Sequence, residues 1–205
     1  MKRVAVLVSG GGSNLQALID AKAKGEIPHG DIVLVISSKP DVKALDRAQE
    51  AGIPTRVVPP KSYETVLDFN TSVLAYLRKF QIDVVVLAGY LSVLDRLVVQ
   101  EYKDRIINVH PSLIPSFCGD GFYGLRVHKE VLARGVKVTG ATVHLVNEVV
   151  DGGPILLQKP VEVLPGDTPE SLQKRVMEEA EWILLPQGVE MVCKQAEKED
   201  GTDGL

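Results

Sequence analysis

Short apolar runs rich in β-branched residues recur along the chain, separated by stretches whose apolar positions return every three or four residues. The runs at 4–9, 32–37, 55–58, 84–88 and 106–110 are almost continuously apolar. That is the pattern of parallel strands covered on both faces, since a strand with one wet face alternates. Helical periodicity occupies 15–24, 42–51 and 63–80 between them. This alternation predicts an α/β, Rossmann-like, doubly wound and mostly parallel sheet with right-handed crossovers.

After Pro111 the pattern changes. A loop rich in proline and glycine leads to a helical stretch at 125–134. Two longer strand patterns, 136–146 and 155–163, are joined by a short connection, which predicts a C-terminal antiparallel pair. A long final helix is expected over 168–193, with Thr168 as N-cap, Pro169 in the first position and Glu170 in the first turn. Residues 1–194 read as a single domain. The polar stretch 195–205 is expected to be a flexible tail.

Composition narrows the classes. With 205 residues, 45% of them hydrophobic, one domain can bury a core without disulfides. The two cysteines, Cys118 and Cys193, lie far apart, and the first apolar run is too short for a leader. Reduced thiols and a cytoplasmic location are expected. No run is long enough to span a bilayer. A net charge of −4 gives no general pull toward nucleic acid, so any anion binding must be local.

Ser9-Gly10-Gly11-Gly12-Ser13-Asn14 offers one such locality, between the first strand and the first helix. Glycines let a phosphate approach the backbone, and amides at a helix start attract it. On position alone, a tight turn capped by Ser13 or Asn14 fits equally well. A dinucleotide fingerprint fails, because the third glycine position is Leu15 and Ser37-Ser38 stand where a ribose-binding acid belongs.

Asn108 and His110 are two apart at the end of a strand, so their side chains share a face. Ligands of open α/β sheets sit at the carboxyl ends of strands. An amide donor and an imidazole there suit acyl transfer. Asp151, in the turn Asp151-Gly152-Gly153-Pro154, would favour the imidazolium if it reached His110. A structural histidine and a plain turn remain open alternatives at this stage. His144 within a strand, His29 in a polar loop and His128 on a helix offer less. Cys118 and His128 lack the partners of a zinc site, and no activating partner is evident for a Cys118 nucleophile.

Five segments carry a resemblance, in order and spacing: Ser9 through Gln16, Asp83 through Tyr90, Ile107 through Pro115, Gly140 through His144, and Asp151 through Ile155. Together they resemble the folate-dependent phosphoribosylglycinamide formyltransferases, over nearly the whole chain. The resemblance implies a one-carbon transferase with 10-formyltetrahydrofolate as co-substrate, glycinamide ribonucleotide as acceptor and no metal. It implies small-molecule substrates rather than nucleic acid or membrane, and a monomer or homodimer. It implies a catalytic trio of Asn108, His110 and Asp151, with Asp151 raising the histidine's pKa. Gly12, Ser13, Asn14, Glu178 and Glu181 would contact the ribonucleotide. Leu91, Ser92, Val93, Leu94, Asn108, Asn147, Glu148, Val149, Val150 and Asp151 would contact the folate. Family members commonly carry a basic residue where this chain has Ser92, and the better-known bacterial members place a folate-contacting arginine where it has Val66. A formyltetrahydrofolate deformylase or a non-catalytic nucleotide-binding module are the rival expectations.

Overall fold

The computed structural model describes residues 1–202, with side-chain placements for residues 1–200. One seven-stranded sheet organises it: β1 (Lys2–Val8), β2 (Gly30–Ser37), β3 (Thr55–Val57), β4 (Val84–Leu87), β5 (Ile106–His110), β6 (Val138–Leu145) and β7 (Ile155–Glu162). The spatial order is β3-β2-β1-β4-β5-β6-β7. The first five are parallel, and β6 runs antiparallel to both β5 and β7. Continuous apolarity is explained by cover on both faces. Val4, Val6 and Val8 pack with Leu15 and Leu18, while Ala5 and Leu7 pack with Phe69 and Val73 on the other side. Helices α1 (Ser13–Ala23) and α2 (Lys43–Glu50) cover the first face; α3 (Val66–Lys79) and α4 (Arg96–Glu101) cover the second.

Strand order reverses between β1 and β4. The chain leaves β1 for β2 on one side, and leaves β4 for β5 on the other. Loops at the carboxyl ends of β1 and β4 therefore diverge and open a crevice.

Several elements differ from the sequence expectation. The stretch predicted as a helix from residue 63 begins at Val66, where Thr65 Oγ1 accepts the Asp68 amide at 3.1 Å. α4 was not predicted, since six residues are too few to show a period; Asp95 caps it by accepting from the amides of Leu97 and Val98. After α5 (Leu125–Arg134), the expected last helix is three pieces: α6 (Pro169–Val176), a π turn at Met177–Glu181, and α7 (Trp182–Thr202). Thr168 and Ser171 close a capping box at its start.

The flexible tail expected from residue 195 is corrected, because α7 continues through Thr202. Val192, Cys193 and Ala196 keep one face of it buried, and Asp200 pairs with Lys2 and with Arg105 at 3.3 Å. Polar composition hid that one-sided apolar face. The last residues of the expected tail, 203–205, lie outside the described residues.

Candidate active site

The glycine loop leaves β1 and enters α1 at Gly12, which takes the N-cap position with a left-handed φ of 72°. No side chain caps the helix, so neither Ser13 nor Asn14 acts as the cap. Instead, Asn14 Nδ2 donates to Glu181 Oε2 at 2.8 Å, and the Ser13 hydroxyl faces the Met177 sulfur at 4.0 Å. The π turn produces this meeting. It leaves Ala180 and Glu181 buried while Glu178 and Glu179 stay exposed. Glu178 pairs with Lys174 at 3.8 Å, and no hydrogen bond or ion pair joins it to α1 among the described residues.

Burial pushes the Glu181 carboxyl up to about 7, against the downward pull of the Asn14 amide. The unfolded chain binds this proton only below about 4.5. The group's stabilising contribution is thus complete below about pH 4.5 and is lost as pH rises through about 7, an effect on the order of 3 kcal/mol. Glu181→Gln is expected to remove this dependence and to be more stable than wild type at pH 8. Urea denaturation at pH 5 and pH 8 checks it; parallel losses in both proteins would exclude Glu181 as the source.

Asn108 and His110 share a face of β5, as the two-residue spacing requires, and both border the crevice. The antiparallel register places His144 of β6 directly opposite Asn108, with Asn108 Nδ2 3.1 Å from His144 Nε2. The Leu145 carbonyl accepts from His144 Nδ1 at 2.9 Å, leaving Nε2 toward the site. Asp151 enters from the β6–β7 connection at a φ of 54°. Its Oδ2 accepts the Gly119 amide at 2.9 Å and lies 3.5 Å from His110 Nδ1. Its Oδ1 lies 3.5 Å from both His144 Nε2 and Asn108 Nδ2. Since a carbonyl can only accept, the Phe117 oxygen at 2.9 Å fixes a proton on His110 Nε2.

Two opposing influences act on His110. Burial pushes the His110 imidazole below its ordinary value, and the opposing Asp151 charge and Phe117 carbonyl do not restore it. Asp151 therefore raises the imidazole, against a larger downward effect of burial. Burial alone would raise the Asp151 carboxyl; the His144 hydrogen bond, the His110 charge and the Gly119 amide outweigh it and hold Asp151 below its usual range. Cys118 is a poor nucleophile, its thiol raised by burial and by Asp151 and its sulfur turned to the Pro115 carbonyl at 3.3 Å.

These groups open onto a cavity of about 340 Å³. Its rim is formed by residues 91–94 from the β4 loop, 119–124 from the β5 loop and 146–151 from the β6–β7 connection. Val93 and Val149 are 66% and 64% exposed there. Apolar side chains left in water around convergent polar groups mark a ligand cavity. The folate segments named from the resemblance all line it, Ser92 included; Val66, exposed at the start of α3, does not.

A family model for formyl transferases matches residues 2–188. The phosphoribosylglycinamide formyltransferase of Haemophilus influenzae is 40% identical over 91% of this chain and 84% of its own length. The chain belongs to the phosphoribosylglycinamide formyltransferases, a branch of the formyl transferase family. A chloroplastic phosphoribosylglycinamide formyltransferase of Arabidopsis thaliana is 42% identical over 98% of this chain and 69% of its own length. Glycinamide ribonucleotide transformylase 1 of Symbiobacterium toebii superposes with a TM-score of 0.89 at 38% identity, covering 95% of this chain and 89% of that one. The chain is also 46% identical to part of the bovine trifunctional purine biosynthetic protein adenosine-3, of which it spans 18%.

Within this formyl transferase fold, the structure adds residues that sequence reasoning passed over. His144 joins the cluster only through strand register, which no spacing along the chain displays. Gly119 and Phe117 contribute a backbone amide and a carbonyl, which leave no compositional trace. Ser9 Oγ accepts the Leu91 amide at 2.9 Å and contacts Ser38 Oγ at 2.6 Å, tying the cavity rim to the end of β1. His128 is fully buried, neither ring nitrogen has a partner among the described residues, and burial with the nearby His110 pushes it down to about 4.

Proposed function

We propose that this chain transfers the formyl group of 10-formyltetrahydrofolate to the amine of 5-phosphoribosylglycinamide. The products are formylglycinamide ribonucleotide and tetrahydrofolate, in de novo purine synthesis. The convergence of Asn108, His110 and Asp151 beside an apolar-rimmed cavity carries the reading. The activity for which the Haemophilus and Arabidopsis relatives are named supports it. In this reading the ribonucleotide lies along Gly12, Ser13, Asn14 and Glu181, and the folate along 91–94 and 147–151.

The amine nitrogen attacks the formyl carbon, and negative charge develops on the formyl oxygen. The Asn108 amide and His110 Nε2–H donate to that oxygen. The Phe117 carbonyl holds the Nε2 proton in the free protein, so it must yield it as the formyl group arrives. Asp151 supports the positive character that His110 gains as charge builds. Collapse breaks the bond from the formyl carbon to the folate nitrogen, and the proton lost by the amine ends on that nitrogen. Such oxyanion and proton-transfer contributions are each worth roughly 10²- to 10⁴-fold in rate.

The test is formyl-folate turnover with and without glycinamide ribonucleotide. Turnover that requires the amine, with formylated ribonucleotide as product, is expected. Equal folate turnover without it would indicate a deformylase and overturn the proposal.

A further inference from the structure

α2 and the first turn of α1 hold the glycine loop by its carbonyls. The Gly10 carbonyl accepts the Ala44 amide at 3.2 Å, the Gly11 carbonyl accepts Arg47 Nε at 3.0 Å, and the Gly12 carbonyl accepts the Gln16 amide at 2.9 Å. A trans peptide carries its C=O and N–H on opposite edges of one plane. Anchoring three successive carbonyls therefore turns the amides of Gly11, Gly12 and Ser13 away from their anchors. None of these amides has an acceptor among the described residues. The loop is pressed against α2 at backbone distance, since a Cβ on Gly12 would lie 2.7 Å from Ala44 Cα.

Arg47 is the one side chain in this grip. Its NH1 donates to Gln16 Oε1 at 2.8 Å, and no carboxylate pairs with it among the described residues. With Ser13, Gln16 and Trp182 it lines a cavity of about 300 Å³ beside the loop. Asp20 and Glu26 also border that cavity, but neither forms an ion pair with Arg47; Asp20 accepts the Gln16 amide at 2.9 Å. The planar guanidinium thus bridges the Gly11 carbonyl and the Gln16 side chain, which holds it in place.

We propose that Arg47 is a positioning residue for the substrate phosphate. It fixes the Gly11–Gly12 peptide so that the Gly12 amide faces the phosphate. This rests on the reading that the loop holds the phosphate of a ribonucleotide substrate.

In the full chain, Arg47→Ala should raise KM for glycinamide ribonucleotide about tenfold, at unchanged kcat and unchanged KM for the formyl-folate. Arg47→Lys keeps the charge but loses the planar fork, so its KM should stay within a few-fold of the alanine variant. Inorganic phosphate, titrated into the wild-type protein, should shift the Gly12 amide in ¹H–¹⁵N spectra, and the shift should vanish in Arg47→Ala. A wild-type KM in the alanine variant, a fall in kcat at constant KM, or full rescue by lysine would each overturn the positioning role. So would a wild-type Gly12 amide indifferent to phosphate, a measurement that needs no variant to fold. Lack of formyl transfer by the wild type would instead count against the proposed reaction and leave the phosphate titration to be judged by itself.

Discussion

Asp151→Asn is expected to lower kcat by about 10²- to 10⁴-fold while KM for both substrates stays within a few-fold of wild type. Asp151 is the hub of the polar cluster. It accepts the Gly119 amide and lies within 3.5 Å of His110, His144 and Asn108. Asparagine can still accept at one atom. Its second atom becomes an NH₂ group, which faces donors and carries no charge. The cost to His110 follows in direction: Asp151 is the largest influence holding the imidazole up against burial, so its removal moves His110 further down. Steady-state kinetics read the first effect, and an NMR titration of His110 reads the second. A kcat within a few-fold of wild type would remove Asp151 from the mechanism.

Gly153→Ala is expected to cost about 3 kcal/mol of stability, a fall in Tm of roughly 10 °C, and at least a tenfold loss of turnover. A Cβ on Gly153 would sit 1.8 Å from the Leu145 carbonyl oxygen and 2.8 Å from its carbon. Both are backbone atoms, so no rotamer change relieves the contact. The connection must open there, next to the bond from the Leu145 amide to the Pro154 carbonyl at 2.8 Å. Asp151 is only two residues away and shifts with it. Gly10→Ala serves as the comparison, since nothing lies within 4 Å of an added Cβ and its φ is unstrained. Thermal melts of the two variants check the contrast; a Gly153→Ala melt within about 2 °C of wild type would show that the turn absorbs the methyl group.

Both predictions concern a turn whose chemistry reads ambiguously in sequence. Asp151-Gly152-Gly153 is by composition a turn and nothing more. Its function follows from what it faces: β5 across the antiparallel β6, and the loop amide of Gly119. The same holds for Glu181 and Glu178. Both are acidic residues on one predicted helix, and the π turn buries the first against Asn14 and leaves the second in water beside Lys174.

The sequence by itself determined the layered architecture. Unbroken apolar runs force strands into a sheet covered on both faces, and helical periods between them supply the cover. It also determined that Asn108 and His110 share a face, because a two-residue period is a property of any strand. Motif order along the chain marked the glycine loop and Asp151 as parts of one family's site. Tertiary structure alone decided which groups touch. Register set His144 against Asn108, and backbone groups of Phe117 and Gly119 completed the cluster. Burial decided the downward direction of the His110 shift, because desolvation depends on what surrounds a residue and not on its neighbours in sequence. The hold of Arg47 on the Gly11 carbonyl belongs with these. It is a contact across 36 positions, between a helix and a loop that meet only because β1 and β2 are adjacent in the sheet.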